Sequence, residues 1–166
     1  MLLLISSVFA WDPPRVYLGG HLPITGLAFS STASPVVELD LVPIAVEYRL
    51  SPRWGLRLSA DSPLLVGIRT PQTLGAIIRV EAPAYLGDFA PQDGMRGFYV
   101  GPYVSTDVFT TLGVGGGATV GISSKVGERV RIRSGLTLGA TYDLTTEVIW
   151  APEWSFVAIE VGGFLF

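Results

Sequence analysis

The stretch from Leu112 to Tyr142, LGVGGGATVGISSKVGERVRIRSGLTLGATY, alternates with a period of two on both sides of a single turn. In its first half Leu112, Val114, Ala118, Val120, Ile122 and Val126 share one parity. Gly113, Gly115, Gly117, Thr119, Gly121, Ser123 and Lys125 share the other. In its second half Val130, Ile132, Leu136, Leu138, Ala140 and Tyr142 alternate with Arg131, Arg133, Gly135, Thr137, Gly139 and Thr141. Successive strand residues point to opposite faces of a sheet, so this pattern marks two strands, each with one apolar and one polar face. Val126-Gly127-Glu128-Arg129 supplies the turn of an antiparallel hairpin.

Working outward from the hairpin, the same reading predicts eight strands over residues 15–30, 36–50, 54–66, 73–86, 96–108, 112–126, 129–142 and 154–166. Turn residues separate them: Ser31-Thr32-Ala33-Ser34-Pro35, Ser51-Pro52-Arg53, Thr70-Pro71-Gln72 and Pro91-Gln92-Asp93-Gly94. Composition agrees. Hydrophobic residues make up 49 % of the 166 positions and mean hydropathy is +0.49, yet no apolar block has the length of a membrane-spanning helix. Twenty glycines also speak against helices, since each weakens a helix interior by about 1 kcal/mol. In lipid only helices and closed barrels satisfy every backbone group. The expected fold is therefore an all-β, eight-stranded, antiparallel up-and-down transmembrane β-barrel over residues 11–166. Residues 1–10 read as the apolar remnant of a signal peptide, with Val8 and Ala10 suiting cleavage before Trp11. Net charge is −3 with both signs spread along the chain, which provides no footprint for nucleic acid. Cysteine is absent, which excludes a disulfide framework and thiolate chemistry.

Parity assigns the faces. Arg57, Ser59 and Asp61 share one face of their strand, and Arg79 and Glu81 share one face of the next. Pairing these strands brings Arg57 near Glu81 and Asp61 near Arg79. A lysine or arginine facing mid-bilayer lipid costs about 2–4 kcal/mol, so the charged face must be the interior. An eight-stranded barrel is just wide enough for side chains to fill it. The expected lumen is plugged by a charge network of Glu47, Arg49, Arg57, Asp61, Arg79, Glu81, Arg131 and Arg133. Inward glycines between Gly113 and Gly121 are expected to leave room for Arg131 and Arg133. Aromatics at strand ends, Trp54, Tyr85, Phe89, Phe109, Tyr142, Trp150 and Trp154, fit interfacial girdles.

Two strands break phase. Val37, Leu39 and Leu41 precede Pro43 with one parity, and Ile44, Val46, Tyr48 and Leu50 follow with the other. One extra residue near Val42-Pro43 restores the pattern as a bulge. In the last strand Val157, Ile159 and Val161 face outward with Glu160 inside, while Phe164 and Phe166 have the inner parity. Gly162-Gly163 is the expected bulge there.

That last strand, Phe156 to Phe166, ends on an aromatic with a second aromatic two residues earlier. It resembles the closing strand of bacterial outer-membrane β-barrels. Arg96-Gly97-Phe98-Tyr99-Val100-Gly101-Pro102-Tyr103 resembles a strand of small barrels of the OmpA membrane domain and OmpX type, and of uncharacterised barrel families built on a similar strand. Val46 to Leu56 is similar to a hairpin of those families. The resemblance implies location in the outer membrane of a Gram-negative cell envelope, with outer-membrane lipid and the barrel-assembly machinery as partners. It implies that Phe164 and Phe166 form the assembly signal. It does not imply an activity, because fold does not carry function.

Candidate chemistry is sparse. His21, with Ser30 and Glu38, is the one set that could serve a lipid-modifying enzyme, but no spacing organises it. A histidine held in the lumen is the plainer reading. Glu38 and Asp40, with Glu47, lack the pattern of a calcium loop and read as partners for Arg49 and Arg57. Gly113 to Gly121 lacks the Gly-Lys-Ser/Thr ending of a phosphate loop. No metal or cofactor is implied. Pro23, Pro43, Pro63, Pro83 and Pro102 recur at about one strand-plus-turn and each removes a ladder donor, which raises the alternative of a wall opened sideways to a lipid. The 143–153 loop, with Glu147, Trp150 and Trp154, is the candidate contact surface for a protein partner in the envelope. The leading expectation is a non-enzymatic barrel with a structural or partner-binding role. The alternatives are a lipid-binding or lipid-modifying barrel and a soluble lipocalin-like barrel.

Overall fold

The computed structural model describes residues 15–21, 24–28, 36–40, 44–66, 73–74, 76–86, 95–108, 113–127, 129–144 and 151–165. The hairpin that decides the fold is formed by β11 (Gly113–Val126) and β12 (Val130–Asp143), which pair antiparallel from Val126↔Val130 to Gly113↔Asp143. β10 (Gly97–Asp107) lies against β11, and β13 (Ala151–Phe164) against β12. β13 then pairs with β1 (Val16–His21), from Tyr17↔Phe164 to His21↔Glu160, and this contact closes the sheet on itself. β4 (Ile44–Arg49), β5 (Gly55–Asp61) and β8 (Ile77–Glu81) complete the ring between β1 and β10, with β9 (Ala84–Leu86) continuing β8. The result is a closed, eight-stranded, antiparallel, up-and-down β-barrel. A second ladder repeats the order of the first four wall strands: β2 (Ile24–Ala28), β3 (Val36–Asp40), β6 (Pro63–Val66) and β7 (Thr73–Leu74).

Half of the wall is made of long continuous strands, β10 to β13. In the other half three predicted strands come as two pieces and the fourth as three, β7, β8 and β9, and the prolines act there in two ways. Gly20↔Ile44 and Ile24↔Leu39 differ in register by one residue, and so do Ile44↔Ala60 and Asp40↔Pro63. Against β5 and β6 the extra residue lies between Asp40 and Ile44, the stretch containing Pro43, as the phase break required; against β1 and β2 one lies between Leu39 and Ile44 and is offset by a second irregularity between Ile24 and Gly26. At Pro83 no residue is added. Glu81↔Tyr103 and Ala84↔Val100 share one register, and so do Arg57↔Glu81 and the Trp54↔Ala84 bridge. The Pro83 carbonyl still accepts from Gly55 N at 2.9 Å, so only a donor is lost. Pro102 sits inside β10 opposite Ala118, and its carbonyl accepts from Ala82 N at 3.0 Å. A Cβ on Gly101 would lie 2.8 Å from the Cα of Pro83, which is why the strand is tight at that point.

The faces follow the parity of the sequence. Leu18, Ile44, Val46, Leu56, Leu58, Val80, Phe98, Val104, Val120, Ile122, Ile132 and Leu138 are all exposed. Among the described residues, no exposed position within a wall strand is charged. Charged side chains turn inward instead.

Two expectations need correction. The last strand has no bulge at Gly162-Gly163: its ladder with β1 runs unbroken through both. Phe164 keeps the inner parity and meets the Tyr17 ring edge-on at 5.6 Å, joining Tyr85, Met95 and Tyr99 in an apolar cluster at the turn end of the lumen. The irregularity lies instead earlier in the same strand, where the three steps from Val157 to Glu160 on β13 span only two, Arg133 to Gly135, on β12. The inward glycines also serve a different purpose from the one expected. A Cβ on Gly121 or Gly135 would run into the Tyr99 hydroxyl, and one on Gly139 into the Tyr103 hydroxyl. These three leave room for tyrosine rings lying along the wall, whereas a Cβ on Gly115 would meet Ser105 and Thr141 and one on Gly117 the backbone of Leu138 and Gly139; none of the five has an arginine among its nearest atoms. At Gly121 the obstruction includes the Ser134 carbonyl, which is backbone and cannot swing away. Gly121→Val is therefore expected to destabilise the barrel by about 1–3 kcal/mol through overpacking, read as a lowered denaturant midpoint. Val120→Ile, on the exposed face of the same strand, should leave that midpoint nearly unchanged.

Candidate functional site

The most organised group of side chains is buried in the lumen. Period-2 alternation on β4, β5, β8, β12 and β13 turns Glu47, Arg57, Glu81, Arg131, Arg133 and Glu160 inward, and each is almost wholly buried. Arg57 donates to Glu160 across the barrel as a fork, Nη1 to Oε1 at 2.9 Å and Nη2 to Oε2 at 2.5 Å. Such a two-pronged arginine–carboxylate pair fixes geometry as well as charge. Its Nε lies 3.4 Å from Glu81 Oε2, so the cross-strand neighbours Arg57↔Glu81 are in contact as the parity argument required. Arg133 Nη2 donates to the same Glu81 oxygen at 2.7 Å. Arg131 Nη1 donates to Glu47 Oε2 at 3.0 Å, and its Nε to Ser123 Oγ at 2.7 Å. Three arginines thus face three glutamates.

Tyrosines extend the network. Tyr85 OH donates to Glu47 Oε1 at 2.5 Å and accepts from Arg131 Nη2. The Arg131 guanidinium lies 4.4 Å from the Tyr17 ring centre, and that of Arg133 lies 4.0 Å from the Tyr99 ring. Ser123 Oγ donates to the Met95 carbonyl at 2.6 Å, which ties the turn before β10 to the network.

Other sequence candidates fall elsewhere. Arg49 is half-buried at the turn end, opposite Gly55. Asp61 sits diagonally from Arg79, whose direct cross-strand partner is Ser59. Arg79 lies 5.0 Å from the Tyr103 ring centre. Tyr85 is 3 % exposed, so it belongs to the lumen and not to an interfacial girdle. Trp54 is exposed near the turn end. Trp154 pairs with Leu138 inside β13, so it is part of a strand and not of the contact loop, which starts after Asp143 and ends before Ala151. Glu147, Trp150, Phe89, Phe109, Phe166, Ser30 and residues 1–14 lie outside the described residues, as do the side chains of His21, Glu38 and Asp40. In the backbone ladder His21 is opposite Glu160.

Glu160, Tyr85, Ser123 and Tyr17 are the network members that the charge pattern did not place. Glu160 had a signal: it is a lone acid at an inner position of an otherwise apolar strand. Its partner 103 residues away had none, because alternation specifies a face and not a position across the lumen.

Chemically this arrangement fills space and holds the wall. The cavity between Arg57, Arg79, Arg133, Glu81, Glu160 and Thr119 has about 20 Å³, room for roughly one water. Among the described residues no group of three or more metal-ligating side chains is present. No family model and no curated protein matches this chain.

Removing one partner from a buried pair leaves an uncompensated charge, which costs about 3–5 kcal/mol. Glu160→Gln is expected to lose that much in equilibrium unfolding. Arg49→Gln, half-exposed, should lose under about 1 kcal/mol. A Glu160→Gln loss no greater than the Arg49→Gln loss would mean that water reaches the network.

Proposed function

We propose that this chain is a small outer-membrane β-barrel with a plugged lumen, serving a structural or partner-binding role in the cell envelope without enzymatic activity. One observation carries the reading: the barrel is polar inside and apolar outside. A soluble binding barrel such as a lipocalin requires the reverse, an apolar interior for its ligand and a polar exterior for water. Among the described residues the exposed wall positions are uncharged while arginines and glutamates are buried. That distribution suits a hydrocarbon surround, where an outward arginine at mid-bilayer costs about 2–4 kcal/mol. The likeness of Arg96 to Tyr103 and of the closing strand to small outer-membrane barrels supports the same location, with outer-membrane lipid as surround and the barrel-assembly machinery as the partner that reads the last strand.

The plug argues for scaffold over conduit. Ion pairs and tyrosines cross the lumen, and the space left among Arg57, Arg79, Arg133 and Glu160 is about that of one water. Every central carboxylate is held by an arginine, which leaves none poised as a general base.

Unboiled and boiled outer-membrane fractions from cells expressing the chain should differ on a gel, with the unboiled band migrating faster. A soluble product without a mobility shift would overturn the membrane reading. In planar bilayers the purified barrel should carry no steady open-channel current. Arg57→Ala together with Arg133→Ala, if still folded, should admit ions. His21→Ala is expected to leave envelope lipid composition unchanged.

A further inference from the structure

The three central arginines are not equally served. Every guanidinium nitrogen of Arg57 and Arg131 has a lumen oxygen within 3.4 Å, from Glu160 and Glu81 around Arg57 and from Ser123, Glu47 and Tyr85 around Arg131. Arg133 spends only one nitrogen, Nη2, on Glu81 at 2.7 Å. Its Nη1 stands 3.8 Å from Glu47 Oε2, outside hydrogen-bond range. Neither Nη1 nor Nε has a hydrogen-bond partner among the described residues. Arg133 is 3 % exposed, so bulk solvent does not serve these donors. A buried polar group left unpaired costs about 1–3 kcal/mol, and more when it is charged.

An acceptor for Arg133 fits in the cavity of about 20 Å³, which this arginine lines with Arg57, Glu81, Glu160, Thr119 and Thr137. Thr119 and Thr137 are direct cross-strand partners, both buried, and they bring two hydroxyls to its wall. Thr119 Oγ1 donates to the Gly101 carbonyl at 3.3 Å and keeps its own lone pairs for a donor. The lining selects the occupant. It must accept from a guanidinium and also lie beside two carboxylates, which accept and never donate when ionised. A metal cation would be repelled by Arg57 and Arg133. A halide accepts but has no proton to give, and it would sit against Glu81 and Glu160. Water does both, and the volume suits one molecule with the two to four polar partners that a buried water takes.

We infer that one water is a fixed member of the lumen network, accepting from Arg133 and donating to the carboxylates and hydroxyls around it. The site depends on the closed barrel and stands apart from the membrane reading. It also gives the Thr119–Thr137 pair a role that the charge pattern leaves unassigned. Apolar cavities stay dry, and these two hydroxyls keep this one polar.

The test is oxygen-17 magnetic relaxation dispersion on the full chain folded in detergent micelles, with closure of each variant checked by its heat-modifiable band. The unsubstituted chain should show water held far longer than the bulk. Thr137→Leu, which fills the cavity, should lower that signal by the amplitude of one water. Ser59→Val, which fills it from across the ring, should do the same. Thr137→Val, nearly isosteric, should shorten the residence time, and Val104→Leu on the exposed face should change nothing. No long-lived water in the unsubstituted chain would overturn the inference. So would a signal that none of the folded cavity variants alters. The unfolding midpoint should be the same in chloride and in gluconate at equal ionic strength; a higher midpoint in chloride would mean a halide occupant and would also overturn it.

Discussion

Burying a charge without a partner is among the most expensive things a protein can do, and this barrel buries six at its centre. Arg57, Arg131 and Arg133 face Glu47, Glu81 and Glu160 in a space that holds little else. Much of the architecture follows from satisfying them. Glu160 reaches Arg57 only if the last strand lies across the lumen from β5, which requires β13 to pair with β1 and close the ring. A register slip of one residue would send a whole strand's charges to the outer face, because side chains alternate with period two. The network therefore specifies register, whatever its net contribution to stability.

The tyrosines complete what the ion pairs begin. Tyr85 bridges Glu47 and Arg131, Tyr17 and Tyr99 cover guanidinium faces, and Phe164 closes the cluster at the turn end. Bulky rings fit against the wall because glycines stand beneath them.

The two halves of the wall differ in kind. β10 to β13 are long and carry one irregularity, whereas β1 to β9 are short segments, interrupted at or beside prolines except between β7 and β8. At Pro83 the ladder keeps its register and loses a donor, while the stretch with Pro43 adds a residue on both flanks. Proline spacing alone suggests a single device repeated five times. The strand pairing distinguishes at least two.

By itself the sequence determined the strand count, the order of the wall and which face of each strand carries charge. Alternation is a local property, so Leu112 to Tyr142 declares its two faces without reference to the rest of the chain. The extra residue near Pro43 was legible for the same reason, as a change of parity along one strand. What only the tertiary structure decided is who meets whom across the lumen: Glu160 with Arg57, Tyr85 with Glu47, Tyr99 over Gly121 and Gly135. It also moved the last irregularity from Gly162-Gly163 to the stretch between Val157 and Glu160 of the same strand and left Phe164 on the inner parity. These pairings depend on closure and on the stagger between strands. Period-two alternation carries a face but no coordinate around the ring, so no reading along the chain could supply them.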